Sequence, residues 1–184
     1  MIRFLDVFFS FIGLMFLSPI FIIIYVFGLF DTGFPVFKQE RIGCNKKPFI
    51  LIKFRTMSVE TKSIASHLVS SASITRLGGF LRGTKLDELP QLWNVLKGEM
   101  SLVGPRPNLL NQEDLIAERE FRGVYKVRPG ITGLAQINRI DMSTPILLAK
   151  TDENMILTLT ISNYFKYILQ TVTGSGSGDR VNKD

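Results

Sequence analysis

The chain is poor in the residues that most often build metal centres and covalent cross-links. Among its 184 residues it has one cysteine, Cys44, and one histidine, His67. A single cysteine excludes an internal disulfide and a multi-cysteine metal site, and a single histidine excludes a histidine pair as metal ligands. The chain also has no Walker-type glycine loop and no serine–histidine or cysteine–histidine pair of the kind that hydrolases use. The remaining candidates for metal or phosphate chemistry are carboxylates and cations.

Acidic residues are fewer than basic ones, 16 against 22, and the formal net charge is +6. A basic chain favours an anionic partner, such as a phosphorylated substrate, a phospholipid surface or nucleic acid. Nucleic acid is not expected as a partner, because no recognised binding motif occurs and the chain begins with a long apolar segment. The length is sufficient for one domain with its own core.

The apolar segment covers residues 4–30. A straight helix of that length reaches roughly 40 Å, more than the ~30 Å hydrocarbon core of a bilayer. Pro19 predicts a kink near its middle. Arg3 and Asp6 are easier to hold at an interface than to carry across a bilayer. Two placements stay open: a spanning helix, and a re-entrant helix that enters the bilayer and leaves on the same side.

After the apolar segment the pattern predicts an α+β domain that begins with a β-hairpin. Its strands are Val36–Arg41 and Phe49–Thr56, separated by turn residues. Lys53 and Arg55 are two residues apart, so they share one face of the second strand and suit an anion. The alternative is that they are solvated edge-strand charges that deter aggregation.

Several helices are predicted after the hairpin, and residues 58–73 are predicted as a loop. The helical segments are residues 74–81, 89–97, 112–122 and 146–172. We expect the third to be mostly exposed, and the last either to pack on the core or to lie on a membrane surface. Pro90 is tolerated in the first turn of the second helix, so Asp87 and Glu88 lie at or just before its N-terminus.

Asp87 and Glu88 are the strongest candidates for chemistry. Adjacent carboxylates stay ionised only where cations offset their charge, and Lys53, Arg82 and Arg106 are available nearby in the sequence. Mg²⁺ commonly takes one or two carboxylates together with substrate phosphates. A carboxylate can also act as the nucleophile in phosphoryl transfer. The alternative is that the pair only stabilises the following helix through its dipole.

Four stretches, in one order, resemble the bacterial sugar transferases, the monotopic phosphoglycosyl transferases that begin lipid-linked glycan assembly. They are Lys53–Met57, Leu86–Gly98, Met100–Pro107 and Val127–Gln136. The resemblance covers about residues 1–138 and implies a re-entrant membrane helix over residues 1–30, kinked at Ser18 and Pro19. It further implies a catalytic domain over residues 31–173, with interfacial amphipathic helices, on the cytoplasmic face of the bacterial inner membrane. Residues 174–184 are expected to form a flexible tail.

The resemblance also implies a reaction. A phosphosugar moves from a UDP-sugar, here expected to be an N-acetylated hexosamine derivative, to undecaprenyl phosphate, with release of UMP and a requirement for Mg²⁺. Asp87 matches the nucleophile that forms a covalent phosphosugar intermediate, and Glu88 matches its acidic partner at the metal. The residues matched or assigned to substrate binding are Lys53, Arg55, Arg82, Pro105, Arg106, Pro107, Arg128 and Arg139.

The chain departs from the family pattern toward its C-terminus. Arg139 directly follows Asn138, where the family often reads Val-Asn-Gly-Arg, and Tyr164 stands where the family often has an aspartate. Both departures bear on the choice of sugar rather than on the chemistry. The expected partners are the two substrates and the phospholipid bilayer, and the sequence leaves a homodimer open. The alternative to an enzyme is a basic membrane-bound scaffold without catalysis.

Overall fold

The computed structural model describes residues 1–60 and 73–174, and within those ranges the fold is α+β, as predicted. The predicted loop at residues 58–73, with His67, falls mostly outside the described residues, as does the tail beyond residue 174. The helices are α1 Ile2–Thr32, α2 Arg76–Thr84, α3 Gln91–Lys97, α4 Glu113–Phe121, α5 Leu134–Ile137, α6 Pro145–Leu157 and α7 Ile161–Val172. The strands are β1 Val36–Ile42, β2 Pro48–Phe54, β3 Ser101–Val103 and β4 Gly130–Thr132.

The predicted β-hairpin is confirmed. Strands β1 and β2 pair antiparallel, with Val36 opposite Phe54 at the open end. Phe49 and Leu51 are buried, whereas Ile50 between them is exposed, which is the alternation expected of a sheet with one covered face. Helix α3 joins the hairpin through Asn94, whose Nδ2 donates to Ile50 O at 2.7 Å and whose Oδ1 accepts from Ile52 N at 3.1 Å. The Asn94 amide therefore binds the outer edge of β2 and positions α3 beside it.

Helix α1 is the longest element of the described chain. Its 31 residues extend without a break through Pro19, so the helix is about 46 Å long. By length and composition it is able to cross a membrane, and most of its surface is not covered by the rest of the protein. The kink at Pro19 and the re-entrant course stay predictions, because α1 is one continuous helix there.

Both ends of α1 pack on the domain that follows it. Near the start, the Arg3 guanidinium donates to Leu96 O and Met100 O at the end of α3. One oxygen of the buried Asp6 carboxylate accepts from Ser101 Oγ, Leu102 N and the Tyr164 hydroxyl, at 2.9–3.0 Å. Burial, and then the neighbouring Asp6 carboxylate, raises the pKa of Tyr164, so its hydroxyl stays protonated and donates.

The far end of α1 is held by different contacts. Phe21 and Ile24 pack against Phe54 and Leu81, which joins α1 to β2 and α2. Farther along, the Asp31 carboxylate accepts a hydrogen bond of 2.6 Å from Thr75 Oγ1, the residue that caps α2. Helix α1 thus makes contact with one domain from its first turn to its last.

The glycine-rich stretch after residue 127, which the sequence predicts as a loop, contains strand β4. This strand pairs parallel with β3, and Gly130 N donates to Pro105 O at 2.9 Å. A Cβ on Gly130 would overlap the backbone of Gly104. Glycine at both positions lets the two backbones approach closely, which is why two such short segments pair.

The sequence predicts one helix over residues 146–172, and the prediction is wrong in that the helix is interrupted. The chain forms two helices, α6 and α7, and Thr160 Oγ1 caps the second by accepting from Asn163 N. Threonine side chains offer the backbone hydrogen bonds outside a helix and favour its start. Met155, Tyr164 and Tyr167 of these helices pack around Val103, so the inner face of the segment belongs to the core.

Candidate functional site

The acidic pair lies in a short 3₁₀ turn, Leu86–Glu88, between α2 and α3. Lys85 ends α2 in the left-handed conformation, with φ 60°, and Pro90 precedes the first residue of α3. The turn therefore occupies the position before α3 that the sequence predicts. Asp87 is 4% exposed and Glu88 is 8% exposed, so neither is a solvated surface carboxylate. Two buried carboxylates need polar partners.

The Pro-Arg-Pro turn supplies one such partner. Arg106 Nη2 donates to Glu88 Oε1 at 2.7 Å, which confirms that the structure brings these two predicted site residues together. The turn is held at two of its carbonyl groups. Arg119 Nη1 donates to Arg106 O at 2.8 Å, and Arg41 Nη1 donates to Pro107 O at 3.1 Å. Two buried guanidinium groups thus fix the backbone that aims Arg106 at Glu88.

Arg119 was not among the predicted site residues, and α4 was expected to be mostly exposed. Arg119 is 1% exposed and ion-paired with the fully buried Asp152 of α6, at 2.7 Å from Nη2 to Oδ2. Burial raises the pKa of the Asp152 carboxyl, and the Arg119 guanidinium opposes that rise. Arg119 follows the buried Leu115 by four residues, and this helical spacing is the signal that places it on the inner face of α4.

Arg82 is held close to the end of the hairpin. Its Nε donates to Thr56 Oγ1 at 2.8 Å. Helix α2 reaches that position because Gly78 lies directly on the Thr56 backbone, where any Cβ would overlap the Thr56 carbonyl. Arg82, five residues before Asp87, is therefore positioned by the segment that directly follows β2.

Lys53 and Arg55 share one face of the chain, as predicted. Lys53 Nζ lies 5.6 Å and the Arg55 guanidinium 5.4 Å from the centre of the Phe37 ring. Their surroundings differ, because Lys53 is 7% exposed and lines a cleft beside Arg106, whereas Arg55 Nε donates to Phe34 O at the end of α1. Lys53 therefore belongs to the site, and Arg55 connects the hairpin to the segment after α1.

Pro105, Arg128 and Arg139 have different surroundings. Pro105 is buried and accepts from Gly130 N, so it joins the Pro-Arg-Pro turn to β4. Arg128 is exposed and its Nε donates to Gly98 O at 2.8 Å. Arg139 is exposed and has φ 60° after α5. Neither of these arginines lines the two cavities beside the acidic pair.

Two cavities lie at Glu88 and at its ion-pair partner Arg106, and they differ in size and chemistry. The smaller measures about 10 Å³ and is lined by Arg41, Lys53 and Arg106 with Gln91. The larger measures about 270 Å³ and is mostly apolar, with Glu88 and Lys85 in its wall. They share no lining residue, and the Arg106–Glu88 ion pair contributes one partner to each. Glu88 therefore links the two cavities: it lines the apolar one and is ion-paired with Arg106 of the cationic one.

Lys85 is the cation that lines the apolar cavity. Its Nζ donates to Thr171 O, near the C-terminus of α7, at 3.2 Å. Burial lowers the pKa of Lys85, an effect that Glu88 opposes and Arg106 reinforces. A cation at the end of a helix is stabilised by the helix dipole. Lys85 thus connects the residue before the acidic turn to the C-terminal helix.

The site fits a metal ion in only one way, in which the protein supplies some of the ligands and the substrate supplies the others. Within residues 1–60 and 73–174 no group of three or more histidine, cysteine, aspartate and glutamate side chains converges on one point. The carboxylates of the acidic turn are those of Asp87 and Glu88, and Glu88 Oε1 accepts from Arg106. Mg²⁺ is commonly held by one or two carboxylates together with substrate phosphates. The pair fits that mode and does not form a complete protein cage.

Comparison with known proteins gives one consistent result. The family described as bacterial sugar transferase matches residues 1–176. An uncharacterized sugar transferase, EpsL, of Bacillus subtilis is 51% identical over 107 residues, which are 58% of this chain and 52% of that protein. A UDP-glucose:undecaprenyl-phosphate glucose-1-phosphate transferase of Caulobacter vibrioides is 36% identical over 151 residues, 77% of this chain and 57% of that protein.

A third relative differs in its named sugar. Galactosyl transferase CpsE of Streptococcus agalactiae is 35% identical over 184 residues, with 92% of this chain and 41% of that protein covered. The chain thus spans between about two fifths and three fifths of the length of these three relatives. Proteins named for glucose and for galactose both match it.

Proposed function

This chain belongs to the bacterial sugar transferase family, and we propose that it transfers a phosphosugar from a UDP-sugar to undecaprenyl phosphate and releases UMP. The observation that supports this function best is the buried acidic pair, in which Glu88 lines an apolar cavity and is ion-paired with Arg106 of a cationic cleft. A charged donor and a lipid acceptor need two such surroundings at one reacting group. A scaffold without catalysis has no use for them.

In the proposed first step, an Asp87 carboxylate oxygen attacks the β-phosphorus of the UDP-sugar. The bond between that phosphorus and the oxygen bridging to the α-phosphate breaks, and UMP leaves with the bridging oxygen. An acyl phosphate that carries the sugar remains on Asp87. Lys53 and Arg106, which line the cationic cleft, neutralise the phosphate charge that develops in this step.

In the second step, an oxygen of the acceptor phosphate attacks the phosphorus of the phosphosugar-enzyme. The bond to Asp87 breaks, and the lipid diphosphate sugar leaves with the carboxylate restored. Splitting the reaction lets a soluble donor and a lipid acceptor use one nucleophile in turn. Mg²⁺ is part of the proposal: Asp87 and Glu88 would hold it together with the substrate phosphates, and when bound it neutralises phosphate charge.

The test of the function is release of UMP from a panel of UDP-sugars. The purified chain in detergent or nanodiscs is supplied with undecaprenyl phosphate, with Mg²⁺ or with EDTA. We expect metal-dependent UMP release with at least one sugar, and an N-acetylated hexosamine derivative is the sugar we propose. Absence of UMP release with every sugar would favour the scaffold and contradict the enzyme.

We further propose that α1 is re-entrant and that the domain lies on the cytoplasmic face. Support comes from the contacts of α1, because Arg3 and Asp6 at one end and Asp31 at the other bind the same domain. A helix that spanned the bilayer would separate those contacts by the hydrocarbon core of ~30 Å. The same contacts are compatible with both ends on one side of the membrane.

This placement predicts the labelling of a cysteine near the N-terminus. An Ile2→Cys variant in a Cys44→Ser background is expected to resist a membrane-impermeant maleimide in spheroplasts and to react in inverted membrane vesicles. Asn111→Cys in the same background, at an exposed position of the domain, is the matched control for the cytoplasmic side. Labelling of position 2 in spheroplasts, with position 111 protected, would support the spanning helix instead.

A further inference from the structure

The apolar cavity beside Glu88 has walls from several parts of the fold. Leu86 and Leu89 come from the acidic turn and the residues after it, Leu102 and Ile131 from the paired strands, and Ile168 and Val172 from α7. The cavity volume of about 270 Å³ is far larger than a gap between core side chains. Its polar lining consists of Glu88, Lys85 and three threonines. A nucleotide, with its many hydrogen-bonding groups, does not suit such walls.

Two walls of the cavity adjoin apolar surfaces of the molecule. Leu92, another lining residue, lies against Gly13 of α1, where a Cβ would be 3.0 Å from Leu92 Cδ1. Helix α7 forms a wall with Ile168, while its outer face presents Phe165, 41% exposed, and Leu169, 63% exposed. The cavity is thus flanked by α3, which packs on α1, and by α7, whose outer face exposes apolar side chains. These neighbours favour a lipid over a water-soluble ligand.

The polar groups that line the cavity indicate the charge of the ligand's head group. Lys85 Nζ bonds Thr171 O, and Glu88 lies within its electrostatic reach. Lys85 is therefore a cation in the cavity wall close to the acidic pair. An anionic head group placed there lies at the acidic turn, and its hydrocarbon chain continues along the leucine and isoleucine side chains.

From this arrangement we propose that the cavity is the acceptor subsite, which holds the first isoprene units of a polyprenyl phosphate with the phosphate beside Lys85. The proposal rests on the proposed function and deepens it. The two substrates then approach the acidic pair from different sides, the donor from the cleft of Arg41, Lys53 and Arg106 and the acceptor from under α7. Ile168 and Lys85 become residues of acceptor binding that do not serve the donor.

The test compares two neighbouring positions of α7. Ile168→Phe places a larger side chain in the cavity, whereas Leu169→Phe changes the exposed outer face and serves as the matched control. Single-turnover UMP release without acceptor reports the first step, and formation of lipid-linked sugar reports the second. We expect Ile168→Phe to leave the first step unchanged and to slow the second about tenfold or more, because the acceptor phosphate is displaced. Leu169→Phe is expected to leave both steps unchanged.

A binding measurement tests the proposal without relying on enzymatic turnover. Undecaprenyl phosphate is expected to raise the Tm of the wild-type chain and of Leu169→Phe, since a ligand that binds only the folded state stabilises it. Ile168→Phe, and Lys85→Met as a second variant, should lose that shift while the Tm without lipid stays in the folded range. Equal slowing of both steps by Ile168→Phe, or an undiminished lipid shift, would overturn the acceptor subsite.

The two proposals fail in different ways. A wild-type chain that releases no UMP from any UDP-sugar contradicts the proposed function, even if the lipid raises its Tm. The other outcome is a wild-type chain that releases UMP normally, with Ile168→Phe and Lys85→Met changing neither the second step nor the rise in Tm caused by the lipid. That outcome keeps the proposed function and contradicts only the assignment of the cavity.

Discussion

Asp87→Asn is expected to abolish UMP release. An amide does not form the acyl phosphate, so the first step has no nucleophile. Loss of a nucleophile typically lowers kcat by roughly three orders of magnitude or more. Asparagine has nearly the shape of aspartate, so the buried turn should keep its fold. The measurement is UMP release by the purified variant, together with a search by mass spectrometry for the phosphosugar-enzyme after incubation with donor alone.

Asp114→Asn is the matched control for that substitution. It makes the same chemical change at an exposed aspartate in the first turn of α4. Its turnover should equal that of the unaltered chain. Near-normal turnover of Asp87→Asn, or a phosphosugar adduct that persists in that variant, would contradict the assignment of Asp87 as the nucleophile and leave the family membership untouched.

Asp152→Asn is expected to cause the largest loss of stability. It leaves the Arg119 guanidinium buried without its charge partner. Breaking a buried ion pair by removal of one partner typically costs about 3–5 kcal/mol. The measurement is the free energy of unfolding in urea. Turnover should also fall, because Arg119 donates to Arg106 O and thereby helps to hold Arg106 against Glu88.

A double variant separates the two roles of this pair. Arg119→Met with Asp152→Leu removes both buried charges, and such apolar replacements often restore stability. Arg106 O and the Asn108 side chain then lack the donor that Arg119 supplies. We therefore expect most of the stability to return while kcat stays low. Full recovery of kcat would show that Arg119 acts on the fold alone.

Arg122→Met is the control for that experiment. Arg122 also joins α4 to α6, through an ion pair of 2.9 Å with Glu153, but this pair is partly exposed. Exposed pairs contribute only about 0–1 kcal/mol. A small change here and a large one at Asp152 would assign the effect to the buried pair beside the Pro-Arg-Pro turn rather than to the α4–α6 contact as a whole.

Local patterns were sufficient to predict much of the fold. The hairpin follows from alternation and turn residues between Val36 and Phe54, and α3 follows from apolar spacing with Pro90 before it and Gly98 after it. The position of Asp87 and Glu88 before α3 follows from the same signals. These elements depend on residues close in sequence, which is why their positions can be predicted from the sequence.

Other features depend on contacts between distant residues. The pairing of β3 with β4 needs two glycines, Gly104 and Gly130, to meet backbone to backbone. The division of residues 146–172 into α6 and α7 depends on packing of the inner face around Val103 as well as on the cap at Thr160. Hydrophobic periodicity alone does not distinguish one amphipathic helix from two that follow each other closely.

By itself, the sequence determined the family, through an acidic pair, a Pro-Arg-Pro turn and a strand with Lys53 in the order that the family has. It also predicted which residues carry the chemistry. Only the tertiary structure decided how they are held. It placed Arg41 and Arg119 behind the turn, and it separated a cationic cleft from an apolar cavity at the Arg106–Glu88 pair. The reason is physical: motifs report residue types at fixed spacing, whereas support and cavity shape arise from side chains that meet only when the chain is folded.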